Sequence, residues 1–179
     1  ALDGRQNLWI CDHANGMIKT APLANAAGIT TFDPATYSLK IAFTHDFAVL
    51  YSSMYQQDHV EKYILPNPTA IVAAGVQSVS GYTEGNGADA RFHQLFGLAV
   101  DADGYVYIAD RENFAVRLIA PNGEVTTLAL PVTLNEPLCV ALSPSGTLYV
   151  SNTYDYQLHV FGSSPAAPRY DHSIGNGVM

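Results

Sequence analysis

Basic residues are scarce in this 179-residue chain: 8 Lys and Arg stand against 16 Asp and Glu, a formal charge of −8. A polyanion is repelled by that charge, so nucleic acid is not an expected partner. The few cations are also dispersed along the sequence, with no cluster that could track a phosphate backbone. Two cysteines, Cys11 and Cys139, are too few for a disulfide framework. Both stand in apolar segments (LWICD and PLCVAL), which predicts two free core thiols. No apolar run nears the roughly 20 residues that span a bilayer; the best, Ala70 to Val76, is interrupted by Gly75. A membrane span is therefore not expected. With 48% apolar and 13% charged residues the composition is that of a folded, soluble, acidic chain. Lysine occurs only at positions 19, 40 and 62, whereas Tyr, Ser, Thr, Asn and Gly are plentiful. That surface chemistry leans toward an extracellular or cell-surface setting.

What the chain has is a repeat. Leu8 to Ala21 (LWICDHANGMIKTA), Val106 to Ile119 (VYIADRENFAVRLI) and Leu148 to Phe161 (LYVSNTYDYQLHVF) align without a gap. Asp12, Asp110 and Asn152 share one column, three residues ahead of Asn15, Asn113 and Asp155. The columns are 98 and then 42 residues apart, so a further unit must lie between the first pair. Ser38 to Leu65 supplies it as a degenerate copy that keeps the strand rhythm and loses the acidic marker.

Within each unit the alternation has period two, and β-branched and aromatic residues dominate, as in Tyr105 to Ala109. Turns of the Asp103-Gly104, Ser145-Gly146 and Asn122-Gly123 type separate the strands, so each unit reads as a four-stranded antiparallel meander. Second strands are predicted at Leu8 to Asp12, Phe47 to Ser52, Val106 to Asp110 and Leu148 to Asn152. Trp9, Tyr107 and Tyr149 then occupy one column and should be equally buried. A sheet with two apolar faces cannot bury itself, and radial stacking as a β-propeller solves this. The Asp/Asn column is read as turn chemistry, bonding amides of the following turn.

Gly81 to Ala129 resembles the NHL repeat. Glu84-Gly85-Asn86-Gly87 matches its Gly-rich acidic loop, and Ala90-Arg91-Phe92 its A-x-F. Leu98 to Asp101, Asp103-Gly104, Tyr107 to Asp110, Asn113, Arg117 and Gly123 to Thr126 follow the remaining pattern. Leu95 stands where the family usually has Pro. The resemblance implies an all-β propeller with blades at approximately 1–34, 35–76, 77–131 and 132–161. The Gly/Pro/Ser-rich end, 162–179, adds an outer strand around Arg169 to Ile174. NHL-like propellers usually have six blades, so the remaining blades of a longer chain are an expected partner; the rival expectation is a complete four-bladed ring.

Function on a propeller sits in its loops and at the channel mouth. A peptide-amidating lyase that resembles NHL proteins holds its metal with His residues just before the first strands. Here those positions read Gln94-Leu95-Phe96 and Glu136-Pro137-Leu138, with His93 alone nearby. One His cannot form a site that wants three protein ligands. His13, His45, His59, His159 and His172 are scattered, with His45 in a turn and His59 in a loop, and no G-x-S-x-G motif occurs. Asp101-x-Asp103-Gly104 reads as a turn, because its counterpart Ser143 to Gly146 lacks carboxylates. No cofactor or metal is expected from these residues. The expectation is a non-catalytic scaffold that binds a protein or small-molecule ligand through the channel-mouth residues His93, Phe96 and Leu138. A set of tyrosines, among them Tyr51, Tyr55, Tyr63, Tyr82, Tyr154 and Tyr156, is open to two readings: packing between blades, or a protein or glycan interface. The alternative function is a propeller enzyme, a metal-dependent lyase or lactonase-like hydrolase, with its ligands on blades outside this sequence.

Overall fold

The computed structural model describes residues 1–24, 28–34, 37–67 and 69–162, and the backbone of 169–174. The period-two segments form antiparallel strands throughout. β1 (Asn7–Asp12), β2 (Met17–Pro22) and β3 (Thr30–Asp33) make the first sheet. β4 (Ser38–Phe43), β5 (Val49–Met54), β6 (His59–Ile64) and β7 (Ile71–Gly75) make the second. The third contains β9 (Leu95–Val100), β10 (Val106–Asp110), β11 (Ala115–Ile119) and β12 (Glu124–Thr127), and gains β8 (Gly85–Asn86), which pairs with β12. The fourth runs β13 (Pro137–Leu142), β14 (Leu148–Asn152), β15 (Gln157–Gly162) and β16 (Arg169–Ile174). β1–β3, β4–β7, β9–β12 and β13–β16 each pair in chain order, so every sheet is built on a meander, with β8 added at the outer edge of the third beyond β12. β5 starts two residues later than the sequence suggests. Phe47 is held in the hairpin turn at φ 57°, its N–H bonded to the Thr44 carbonyl.

Side-chain alternation gives each sheet two apolar faces, and three cores fill the three gaps between successive sheets. Trp9 and Ile18 meet Ile41, Leu50 and Tyr63. Val60 and Ala74 meet Phe92, Leu98, Val106 and Ile108. Tyr107 and Val116 meet Val140, Leu148, Val150 and Phe161. Each fully buried apolar side chain contributes about 1.5–3 kcal/mol, so the sheets are held mainly by their neighbours. The first strands converge on the propeller axis: β4 packs on β9 and β9 on β13. At Gly97 the approach is closest, where a Cβ would lie 2.7 Å from Cys139 Cα and 2.9 Å from the Leu138 carbonyl oxygen.

The Trp9, Tyr107 and Tyr149 column divides. Trp9 (7% exposed) and Tyr107 (3%) are buried between sheets. Tyr149 is half-buried, because it points to the face of the fourth sheet that no described sheet covers. The thiols divide too: Cys11 is half-buried and contacts Ser38 Oγ at 3.3 Å, whereas Cys139 is exposed, so it is no core thiol. Leu138 and Val140 flank it in the strand, and Val140 takes the side facing the core.

Candidate functional site

The Asp/Asn column ties two loops together in each of the third and fourth sheets. Asp110 Oδ1 accepts the His93 N–H at 2.8 Å, and its Oδ2 accepts Asn113 Nδ2 at 2.8 Å. Asn152 Oδ1 accepts the Asn135 N–H at 2.5 Å, and its Nδ2 donates to Asp155. The amides bonded are thus those of the loop leading into the first strand, not those of the following turn. Backbone bonds complete the tie: the Arg111 and Glu112 N–H groups donate to the Gln94 and His93 carbonyls, and Thr153 and Tyr154 donate to Glu136 and Asn135. The turn after the second strand and the loop before the first strand therefore form one end of the propeller.

Asp110 also meets Arg117 Nη1 at 3.1 Å, and both side chains are wholly buried. Arg117 donates further to the Arg91 and Thr83 carbonyls at 3.1 and 2.8 Å, and lies over Tyr82 and Phe92. Burial pushes the Asp110 carboxyl up, against the Asn113, His93 and Arg117 hydrogen bonds that favour its charge. In the first sheet the same columns carry Asp12 and Lys19, paired at the surface.

The residue after the Asp/Asn column builds a strip across three sheets at this end. It is His13 in the first unit, Tyr55 in the second and Arg111 in the third. The Tyr55 ring stands edge-on to His13 at 6.1 Å and to Phe96 at 4.7 Å, and the Arg111 guanidinium covers Phe96 at 5.5 Å. Arg111 is fixed by Gln94 Oε1 (3.1 Å), Glu112 Oε1 (2.7 Å) and Glu136 Oε2. Two inter-sheet bonds set the register: Ser53 Oγ donates to the Phe96 carbonyl (2.6 Å), and the Gln94 N–H donates to Asp58 Oδ1 (2.6 Å). His13 Nδ1 is buried and has no hydrogen-bond partner among the described residues. One cation between two carboxylates, beside three rings, favours a neutral or cationic aromatic-binding surface over an anion site.

Of the three residues picked from the sequence, Phe96 is central to this strip. His93 lies at the same end, where its backbone rather than its ring is engaged. Leu138 lies on β13 beside Gly97, and no contact joins it to His93 or Phe96 through a polar group. Tyr55 belongs to the tyrosine set that the sequence left open between packing and an interface, and Arg111 was not picked as a site residue. The signal for Arg111 was available as an alignment column with His13, one position beyond the Asp/Asn marker, whereas Tyr55 enters that column only through strand pairing, where Met54 faces His59 as Asp110 faces Ala115.

Other expectations resolve individually. His59 is not a loop residue: it opens β6 and is 1% exposed. Burial disfavours its charge, yet Glu61 Oε1 at 3.3 Å and the Gln57 carbonyl at 3.0 Å raise its pKa above the usual value. Tyr63 donates to Glu61 at 2.9 Å, so His59, Glu61 and Tyr63 line one side of β6. His172 falls in β16, where only the backbone is described. Asp101 Oδ1 accepts the Asp103 and Tyr105 N–H groups at 3.0 and 2.8 Å, which spends that oxygen on its own turn. That turn, with Phe43, His45 and the Ser143 to Gly146 turn, lines a cavity of about 600 Å³ at the opposite end of the propeller. Among the described residues no three His, Cys, Asp or Glu side chains converge as metal ligands. No described helix is long and apolar enough to cross a membrane.

No known family profile matches the chain, and no curated protein does. Solved structures do. An auxiliary nutrient binding protein from Bacteroides ovatus is similar at 16% identity and TM-score 0.72, over 83% of this chain and 43% of that one. A protein of unknown function from Bacteroides thetaiotaomicron superposes at 19% identity and TM-score 0.77, over 89% and 45%. Virginiamycin B lyase from Staphylococcus aureus does so at 13% identity and TM-score 0.68, over 95% and 53%. The chain thus spans about half the length of these proteins. At such identities the likeness fixes the architecture alone, and that architecture is the β-propeller.

Proposed function

We propose that the chain is an NHL-type propeller scaffold that binds a protein or small ligand at the end where Tyr55, Phe96 and Arg111 meet, without a catalytic set of its own. The observation that carries this reading is the convergence of side chains from three sheets into one aromatic and cationic strip, fixed by Gln94, Glu112 and Glu136. Rigid rings at loop ends on a sheet scaffold are a usual recognition surface. A nutrient-binding propeller among the similar structures supports a binding role.

The test is a thermal-shift screen of amino acids, nucleosides and aromatic amines against the chain, with hits remeasured on Tyr55→Ala and Phe96→Leu. A ligand at about 100 times its Kd adds about 2.7 kcal/mol of stability. Both variants should lose that gain. Hits that bind both variants as tightly as the parent chain would overturn the site. A stoichiometric divalent ion lost on chelation together with an activity would overturn the non-catalytic reading.

A further inference from the structure

A second place in the fold combines fixed aromatic rings with unspent polar groups. It is a groove of about 700 Å³ between the first two sheets, away from the Tyr55 strip. Trp9, buried but for a small part of its surface, lines its base, and Trp9, Thr20 and Thr30 make one cross-strand row on its first wall. Phe47, from the β4–β5 hairpin, faces them from the second sheet.

Both rings are held in position. The Trp9 indole N–H donates to Asp3 Oδ2 at 3.0 Å, and its ring stands edge-on to Phe32 at 4.7 Å. Phe47 rests on the backbone of Gly4, where a Cβ would lie 2.8 Å from the ring, while 42% of the residue stays exposed. A bound ring would therefore meet surfaces that need no rearrangement, which lowers the cost of binding. The polar groups are unspent. Thr20 and Thr30 have no side-chain hydrogen bond among the described residues, and the Arg5 guanidinium has no ion pair there. Asp46, whose Oδ1 accepts Thr44 Oγ1 and the Ala48 N–H, adds a carboxylate at the mouth.

We infer that this groove binds a neutral saccharide unit. A hydroxyl gives and accepts hydrogen bonds, which suits the two threonines, the guanidinium and the carboxylate together. The C–H face of a sugar ring carries the weak positive edge that an aromatic face attracts. Other classes fit less well. An anion meets Asp3 and Asp46, a quaternary cation meets Arg5, and an alkyl ligand would bury two threonine hydroxyls without partners.

The chain has one tryptophan, so its fluorescence reports the groove directly. The 179-residue chain is titrated with methyl β-D-glucoside, methyl α-D-galactoside and maltose, and with inorganic phosphate and tetramethylammonium as comparators. At least one saccharide should shift Trp9 emission saturably, with a Kd of about 1 mM. The T20V/T30V variant should weaken it about tenfold or more, T20S/T30S should retain it, and Tyr154→Ala, on the fourth sheet, should match the parent. The indole N–H resonance of Trp9 gives a second readout if T20V/T30V unfolds: a saccharide must then shift it in the parent and in T20S/T30S. No saturable response to any saccharide, a response unchanged in a folded T20V/T30V, or an equal response to phosphate or tetramethylammonium would overturn the inference.

Discussion

Replacing Arg117 by Ala removes the centre of the most deeply buried polar network in the third sheet. Arg117 and Asp110 are each 0% exposed. The substitution deletes the 3.1 Å contact to Asp110, strands the Arg91 carbonyl, leaves the Thr83 carbonyl with the Arg91 N–H alone, and uncovers the Tyr82 and Phe92 rings. The dominant loss is the carboxylate left behind. Breaking a buried pair by removing one partner costs about 3–5 kcal/mol, because the remaining charge stays desolvated. Asp110 keeps the His93 N–H and Asn113, which holds the cost near the lower bound and offsets part of what the stranded Arg91 carbonyl adds. For a domain of this size about 3 kcal/mol corresponds to a fall in Tm of roughly 6–12 °C. Adding Asp110→Asn to Arg117→Ala should restore part of the loss, since Asn keeps the acceptor for His93 and drops the charge, as Asn152 does in the fourth sheet. Lys19→Ala, in the equivalent surface pair, should change Tm little. Calorimetric unfolding of these three variants beside the parent decides the matter. If Arg117→Ala melted no lower than Lys19→Ala, burial would not be what gives the pair its weight.

Two further outcomes follow from the packing. His59 has a raised pKa in the fold, so its contribution is fully present below about pH 6.5 and is lost as pH rises through the higher folded value. Unfolding measured from pH 6 upward should show stability falling in that window, and His59→Gln should flatten the fall; an unchanged profile in the variant would refute the assignment. Gly97→Ala should cost about 1–3 kcal/mol, because the added methyl meets the backbone of Cys139 rather than a side chain that can move. A denaturation midpoint unchanged from the parent would show that β9 and β13 can separate freely.

The strand framework was legible because it is local. The gapless match of three segments placed β10 and β14 to the residue, and the hairpin glycines placed their turns. β1 begins one residue earlier than predicted, at Asn7, and β5, in the unit without the marker column, lies two residues later at both ends. The site was legible in part, since Phe96 stands in a motif position, whereas Tyr55 and Arg111 acquire meaning only when three sheets bring their turns to one end. The stacking of one sheet on the next is a tertiary fact that no single repeat contains. His59 was misjudged for a related reason: DHVEKY reads as a polar loop until pairing with β5 and β7 puts His59, Glu61 and Tyr63 on one side of a central strand. The exposure of Cys139 likewise depends on which side of β13 faces a neighbouring sheet.

The pairing of the marker column with the position seven residues later has a consequence for how such a chain can change over evolutionary time. Asp12 with Lys19 and Asp110 with Arg117 each sit on adjacent strands of a single sheet, and the fourth unit carries Asn152 and His159 in the same two columns. A replacement at one of these positions can be compensated seven residues away in the same gene segment. Neighbouring units need not change with it. A duplicated unit arrives with its own compensating partner, so copies can multiply first and diverge afterwards, and the second unit, which has lost the marker altogether, still stacks between its neighbours through apolar contacts.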